Sequence, residues 1–210
     1  MAVVSPAFEL PMSAPPAGER ERADARRNRE RILCAAARLI EARGIDCVSM
    51  DDVAAEAGVG KGTLYRRFGD RSSLLRALIE EPERELQDEL LRGAPPLGPG
   101  AEPADRLHAF GDRVLDHLEG HAAFIGAAEK LGGGAQRYGH PVYAFHRTHL
   151  VVLLRQILGD GPETEYFADC LLSMLAAEPF LYQRQARGLA LEDLRAGWHA
   201  LADAIAATGA

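Results

Sequence analysis

The chain has 210 residues, 47% of them hydrophobic, and 24 Lys and Arg against 31 Asp and Glu give a formal net charge of −7. That is ample for a core, but no run approaches the ~20 apolar residues needed to span a bilayer, so a membrane protein is not expected. Cys34, Cys47 and Cys170 are odd in number and lack metal-type spacing, which argues against a disulfide framework and for a reduced, cytoplasmic setting. Cys34 and Cys170 fall within helical apolar patterns, where a small buried hydrophobe is expected.

Residues 1–23 are Pro/Ala-rich and then charged. They lack the basic and apolar regions of a secretory signal and read as a disordered or extended tail. A strong helix begins at Asp24, where Ile32, Leu33, Ala36, Leu39 and Ile40 form one stripe and Gly44 closes it. Its first turns carry Arg26, Arg27, Arg29 and Arg31, the wrong charge for a helix N-terminus. Phosphate contact would explain them, although Glu30 intervenes and a solvated face remains open.

Ser49 is a good N-cap with Asp52 three residues on, and Val53, Ala54 and Ala57 give a short apolar face that ends at Gly58. Gly58-Val59-Gly60 supplies a tight turn. The next helix, Lys61 to Phe68, should bury Leu64 and Phe68 and turn Arg66 outward, with Gly62 and Thr63 beside it. A helix that offers water a small residue, a hydroxyl and an arginine suits an anionic partner, as the recognition helix of a helix-turn-helix does. Charge is distributed accordingly. Residues 1–80 hold 13 basic and 12 acidic side chains, whereas 81–210 hold 11 and 19; residues 20–80 alone are +3.

The run from Ala54 through Leu75, with its Gly-Val-Gly turn, Gly62-Thr63-Leu64-Tyr65, Phe68 and basic Arg71, resembles the DNA-binding domain of TetR-type (AcrR-like) repressors. With the upstream helix the resemblance covers roughly residues 24–80. It implies an all-α chain: an N-terminal three-helix helix-turn-helix domain, then a helical ligand-binding and dimerisation domain over 81–210, about nine helices together. It also implies a homodimer that binds a double-stranded DNA operator and is released by a small-molecule effector. A ligand-independent regulator or activator of the same fold is the alternative. The DNA-facing candidates are Arg26, Arg27, Ser49, Lys61, Gly62, Thr63, Tyr65, Arg66, Arg67 and Arg71, with Tyr65, Arg71 and the first-helix arginines assigned to phosphates.

A helix from Arg71, capped by Asp70, runs through Leu74, Leu75, Leu78 and Ile79, and Pro82 is expected to end, kink or restart it near Glu80. Residues 93–103 form a Gly/Pro-rich connection. Helices are expected at about 104–118, 121–131, 141–158, 163–187 and 191–207, punctuated by Gly132-Gly133-Gly134 and Gly159-Asp160-Gly161-Pro162. Pro179 should bend the fourth of these. Phe167, Leu171, Leu194, Trp198 and Leu201 on the last two form the expected dimer interface, with the protomer's own core as the competing use. Phe110, Phe124, Tyr143, His146 and Met174 are pocket candidates chosen as aromatic or polar residues on the intervening helices.

Gly58 to Thr63 superficially suggests a phosphate loop, but Ala55 stands where the pattern needs glycine, Gly62 replaces the hydroxyl residue, and a helix precedes it. His117 with His121, and His146 with His149, have helical spacing for a metal; neither pair has an acidic or cysteine partner in sequence, so no metal is expected. Catalytic motifs are absent, so neither an enzyme nor a cofactor is expected.

Overall fold

The computed structural model describes residues 17–133 and 137–209, with side chains from Asp24 onward, and every regular element among them is helical. Helix α1 (Ala17–Arg43) is followed by a 3-10 turn (Ile45–Cys47), α2 (Met50–Glu56), α3 (Lys61–Phe68) and α4 (Arg71–Arg92). Then come α5 (Pro103–Gly132), α6 (Pro141–Leu158), α7 (Pro162–Met174), α8 (Ala177–Leu181) with a π-turn (Tyr182–Ala186), and α9 (Leu191–Ala206).

Two apolar cores result. Ile32, Ala36, Leu39, Val53, Leu64, Phe68 and Leu74 make the small one, among α1 to α4. Phe110, Leu150, Leu153, Leu154, Leu171 and Trp198 lie in the larger one, which Leu86 and Leu90 of α4 also enter. Helix α4 therefore belongs to both. Ser72, near its start, donates its hydroxyl to the Ala128 carbonyl of α5 at 3.3 Å.

The elements differ from the sequence expectations at five places. Helix α1 begins at Ala17, inside the stretch read as a tail; residues 1–16 lie outside the described residues. Pro82 stands within an unbroken α4, because Leu74, Leu75, Leu86 and Leu90 bury on both sides of it and hold the helix across the missing donor. The helices expected at 104–118 and 121–131 are one 30-residue helix, α5. Leu118 and Ala122 bury across Gly120, and that packing outweighs glycine's helix penalty of ~1 kcal/mol.

The segment 163–187 divides at Leu175 and Ala176, three residues before Pro179. Pro179 falls in the first turn of α8, where the proline lacks only an N–H that would have no intrahelical acceptor. Finally, Cys34 and Cys170 are exposed and free, as is Cys47, because each lies on the outward side of its helix.

Candidate DNA-binding surface and interior cavity

Ser49 opens α2 as a full capping box. The Asp52 N–H donates to its hydroxyl at 3.1 Å, and the Ser49 N–H donates to the Asp52 carboxylate at 2.9 Å. The Ser49 hydroxyl and N–H together hold the Asp52 carboxyl below the usual carboxylate range. Gly58 has φ of 63°, a value that permits the turn into α3 and that side chains rarely adopt. Val59 packs half-buried against the small core, and Leu64 and Phe68 anchor α3.

The opposite face of α3 is the candidate contact surface. Gly62 and Arg66 are exposed, Tyr65 is 47% exposed, and Thr63 is half-buried. Arg66 has no ion pair or side-chain hydrogen bond among the described residues, which leaves its guanidinium available to a base edge or phosphate. Lys61 also lies at the surface but is held 2.5 Å from Asp51.

Other sequence-selected cations have partners. Arg67 turns back to donate to the Ala25 carbonyl of α1 at 2.5 Å, away from the Arg66 face. Arg71 donates to the Ile45 carbonyl and so braces the 3-10 turn. Arg26 pairs with Glu30 at 3.6 Å and Arg27 with Asp24, both on the exposed side of α1. Exposed pairs of this kind are worth little and open readily for a phosphate.

Between the helix-turn-helix and the body lies a cavity of about 970 Å3. Its wall draws on α1 and α3 (Arg29, Arg67, Phe68), α4 (Glu80, Glu83), α5 (His117), α6 (Tyr143, His146) and α7 (Leu172). Arg29 spans the junction: it pairs with Glu80 and stacks 5.3 Å from the Phe68 ring centroid. Deep in the cavity, Glu83 is flanked by His146 Nε2 at 3.1 Å and His117 Nε2 at 3.4 Å. Burial pushes the Glu83 carboxyl up, but the close His146 nitrogen and the Gln87 amide outweigh it and hold the group below its ordinary value. Burial also pushes the His117 imidazole down to about 4, so it is neutral at pH 7.

A family model described as bacterial regulatory proteins of the tetR family matches residues 32–78, which contain the small core and both helices of the turn. Residues 32–78 are thus a TetR-type DNA-binding domain. An HTH-type transcriptional regulator of Staphylococcus aureus is 27% identical over 83% of this chain and 91% of its own length. Another regulator of that species is 44% identical over 59 residues, 28% of this chain and 32% of its own. The whole chain also superposes on solved structures. A putative TetR-family regulator from Rhodococcus aligns with TM-score 0.63 at 20% identity, covering 86% of this chain and 99% of that one. A putative transcriptional regulator from Pseudomonas aeruginosa aligns with TM-score 0.64 at 21% identity, covering 87% and 92%. At these identities the superpositions show the fold alone.

Within the TetR-type fold, the sequence-selected pocket residues divide. Tyr143 and His146 line the cavity. Phe110 is fully buried elsewhere in the body core, stacked 5.4 Å from the His149 ring; Phe124 is half-buried off the cavity wall; and Met174 is 47% exposed on α7. Glu83 and His117 were missed as pocket residues. A lone acidic residue in an acidic helix carries no sequence signal, and His117 meets His146 only because α5 packs on α6.

The interface candidates divide as well. Trp198 and Leu171 are buried in the protomer, and the Trp198 indole N–H donates to the Leu107 carbonyl at 3.1 Å. Phe167, Leu194 and Leu201 are half-buried at the edge of the core. The outward stripe of α7 is instead Tyr166, Cys170 and Met174, at i, i+4 and i+8. No helix among the described residues is long and apolar enough to cross a membrane.

Proposed function

We propose that the protein is a homodimeric repressor in the cytoplasm whose hold on its operator is released when a small molecule fills the cavity. The observation that carries this reading is the shared wall: Arg29, Arg67 and Phe68 of the DNA-binding unit face the same space as α4 to α7. A volume of about 970 Å3 suits a drug-sized molecule. Such an occupant presses directly on the unit that carries Arg66. It favours whichever arrangement leaves it more room, and DNA affinity falls by the ligand's preference for that arrangement.

Dimerisation follows from the selectivity problem of a single helix-turn-helix, which reads too few base pairs alone. Two copies set their recognition helices about one DNA turn apart, roughly 34–36 Å. The Tyr166–Cys170–Met174 stripe of α7, with Leu194 and Leu201 beside the core, supports an interface between copies at this end of the body. Tyr166→Glu with Met174→Glu should give a folded monomer by sedimentation, with most operator affinity lost; a dimer of native affinity would move the interface elsewhere.

Ligand release is tested on the full-length protein by thermal-shift screening against a small-molecule library, followed by mobility-shift titration on DNA from its own promoter region. Compounds that raise Tm by mass action should also weaken the DNA complex. Stabilising compounds that leave DNA affinity unchanged would return the ligand-independent regulator.

A further inference from the structure

The cavity contains a buried carboxylate, Glu83, beside two imidazoles and the Gln87 amide. The Glu83 side chain is 11% exposed, while those of His117 and His146 are 4% and 9% exposed. Gln87 donates to Glu83 Oε1 at 2.9 Å, but neither imidazole Nε2 is in line for a hydrogen bond, and both are buried without one. Buried polar nitrogens without hydrogen bonds are rare, and here two of them face one cavity beside one carboxylate. The arginines on the cavity wall have partners within the protein. Arg29 is paired with Glu80, Arg84 with Glu81 and Arg137 with Glu129, Arg67 donates to the Ala25 carbonyl, and Arg76 is likewise engaged.

We infer that the effector is an apolar molecule bearing one protonated amine, whose ammonium group sits among Glu83, His117 and His146. This rests on reading the cavity as the effector site. An ammonium group has several N–H donors and no acceptor, which matches a carboxylate oxygen and two imidazole nitrogens. Its charge balances Glu83, and charge-assisted hydrogen bonds away from water are the strong kind. The apolar remainder fits walls that include Val114, Leu118, Phe145 and Leu172. A carboxylate ligand would meet Glu83 charge to charge, and a purely apolar one would cover it without pairing it. Among the described residues no group of three or more His, Cys, Asp or Glu is arranged to hold a metal ion.

The test uses three ten-carbon probes, decylamine, decanol and decanoic acid, titrated calorimetrically into the full-length protein at pH 7 below their aggregation thresholds. Decylamine should bind about tenfold or more tighter than decanol, with decanoate the weakest. In Glu83→Gln, which keeps size and removes charge, decylamine should lose that advantage and bind no more tightly than decanol. Retained decanol binding also shows that the variant is folded. If Glu83→Gln does not fold, the order of the three probes on the wild-type protein still decides. Equal binding of decylamine and decanol, or tighter binding of decanoate, overturns the ammonium assignment and leaves the cavity as a binding site. Failure of all three to bind overturns the effector reading as well.

Discussion

The two cores of this protein are built by different rules. The small core around α2 and α3 is assembled from residues close in sequence. Its cap, turn and anchors (Ser49, Gly58, Leu64 and Phe68) lie within twenty residues of one another. The body is assembled across distance: Trp198 of α9 closes over Gly111 of α5, and Glu83 of α4 meets His117 of α5 and His146 of α6. Local construction leaves a motif in the sequence, whereas long-range construction leaves only periodicity. The difference predicts where substitutions will separate stability from DNA binding.

The largest separation is expected at Trp198. Trp198→Ala removes a buried indole and should cost ~3–5 kcal/mol, read as a lower denaturation midpoint of the body while the helix-turn-helix keeps its own core. Gly111→Ala attacks the same contact from beneath, since a Cβ there would meet the indole at 2.0 Å. Overpacking of that kind costs ~1–3 kcal/mol. A single unfolding transition displaced equally for both units would show that the two cores are one cooperative body.

Acid should act next, and on the body first. His117 titrates at about 4 when folded, against an ordinary value of 6.5, so the unfolded chain takes up its proton first as pH falls. Stability from this residue is intact above pH 6.5, declines between 6.5 and 4, and is then exhausted. The loss is up to about 3 kcal/mol for 2.5 pH units. Thermal unfolding of His117→Gln should show a flatter slope across that window. An unchanged slope would mean that the imidazole is solvated in the folded protein. Glu83, held below its ordinary value, adds its own loss only at more acid pH.

On the DNA side, Arg66→Ala should leave stability within ~0.5 kcal/mol, because the side chain has no partner to lose. Operator affinity should fall by ~1–3 kcal/mol, with preference relaxed at one base position. Uniform weakening on all sequences, measured by competition with random DNA, would make Arg66 a phosphate contact. Smallest is Ser49→Ala, expected to cost ~1 kcal/mol of stability through the lost cap. Ser49→Thr should restore it. A loss of DNA affinity in Ser49→Ala exceeding the stability loss would give the hydroxyl a second role at the phosphate backbone.

Legibility follows the same division. Ser49 as a cap, the turn at Gly58 and the buried Leu64 and Phe68 were readable because each signal lies within a few residues of its partner. Arg67 and Arg71 were chosen as DNA contacts because cations on a surface helix look alike in sequence. Their acceptors are carbonyls of Ala25 and Ile45, 42 and 26 residues away. Pro82 misled for a related reason: the rule for proline is local, and the burial of Leu86 and Leu90 that keeps α4 helical is not. Trp198 was read as an outward anchor because an apolar stripe does not say which surface covers it. The space over Gly111 does, and glycine spacing alone gives no sign of it.

If the cavity is the effector site proposed above, the shared wall at Arg29 and Phe68 also makes DNA a competitor of whatever fills it. If an occupant loosens the operator complex by some factor, the operator must loosen the occupant by that same factor, because the two form a closed thermodynamic cycle. Effector affinity measured on the free protein would therefore overstate the affinity of the DNA-bound protein. A molecule small enough to reach Glu83 without touching Phe68 would bind equally well in both states and provoke no response. Two compounds of equal affinity could thus differ completely in efficacy, with reach toward α3 deciding between them.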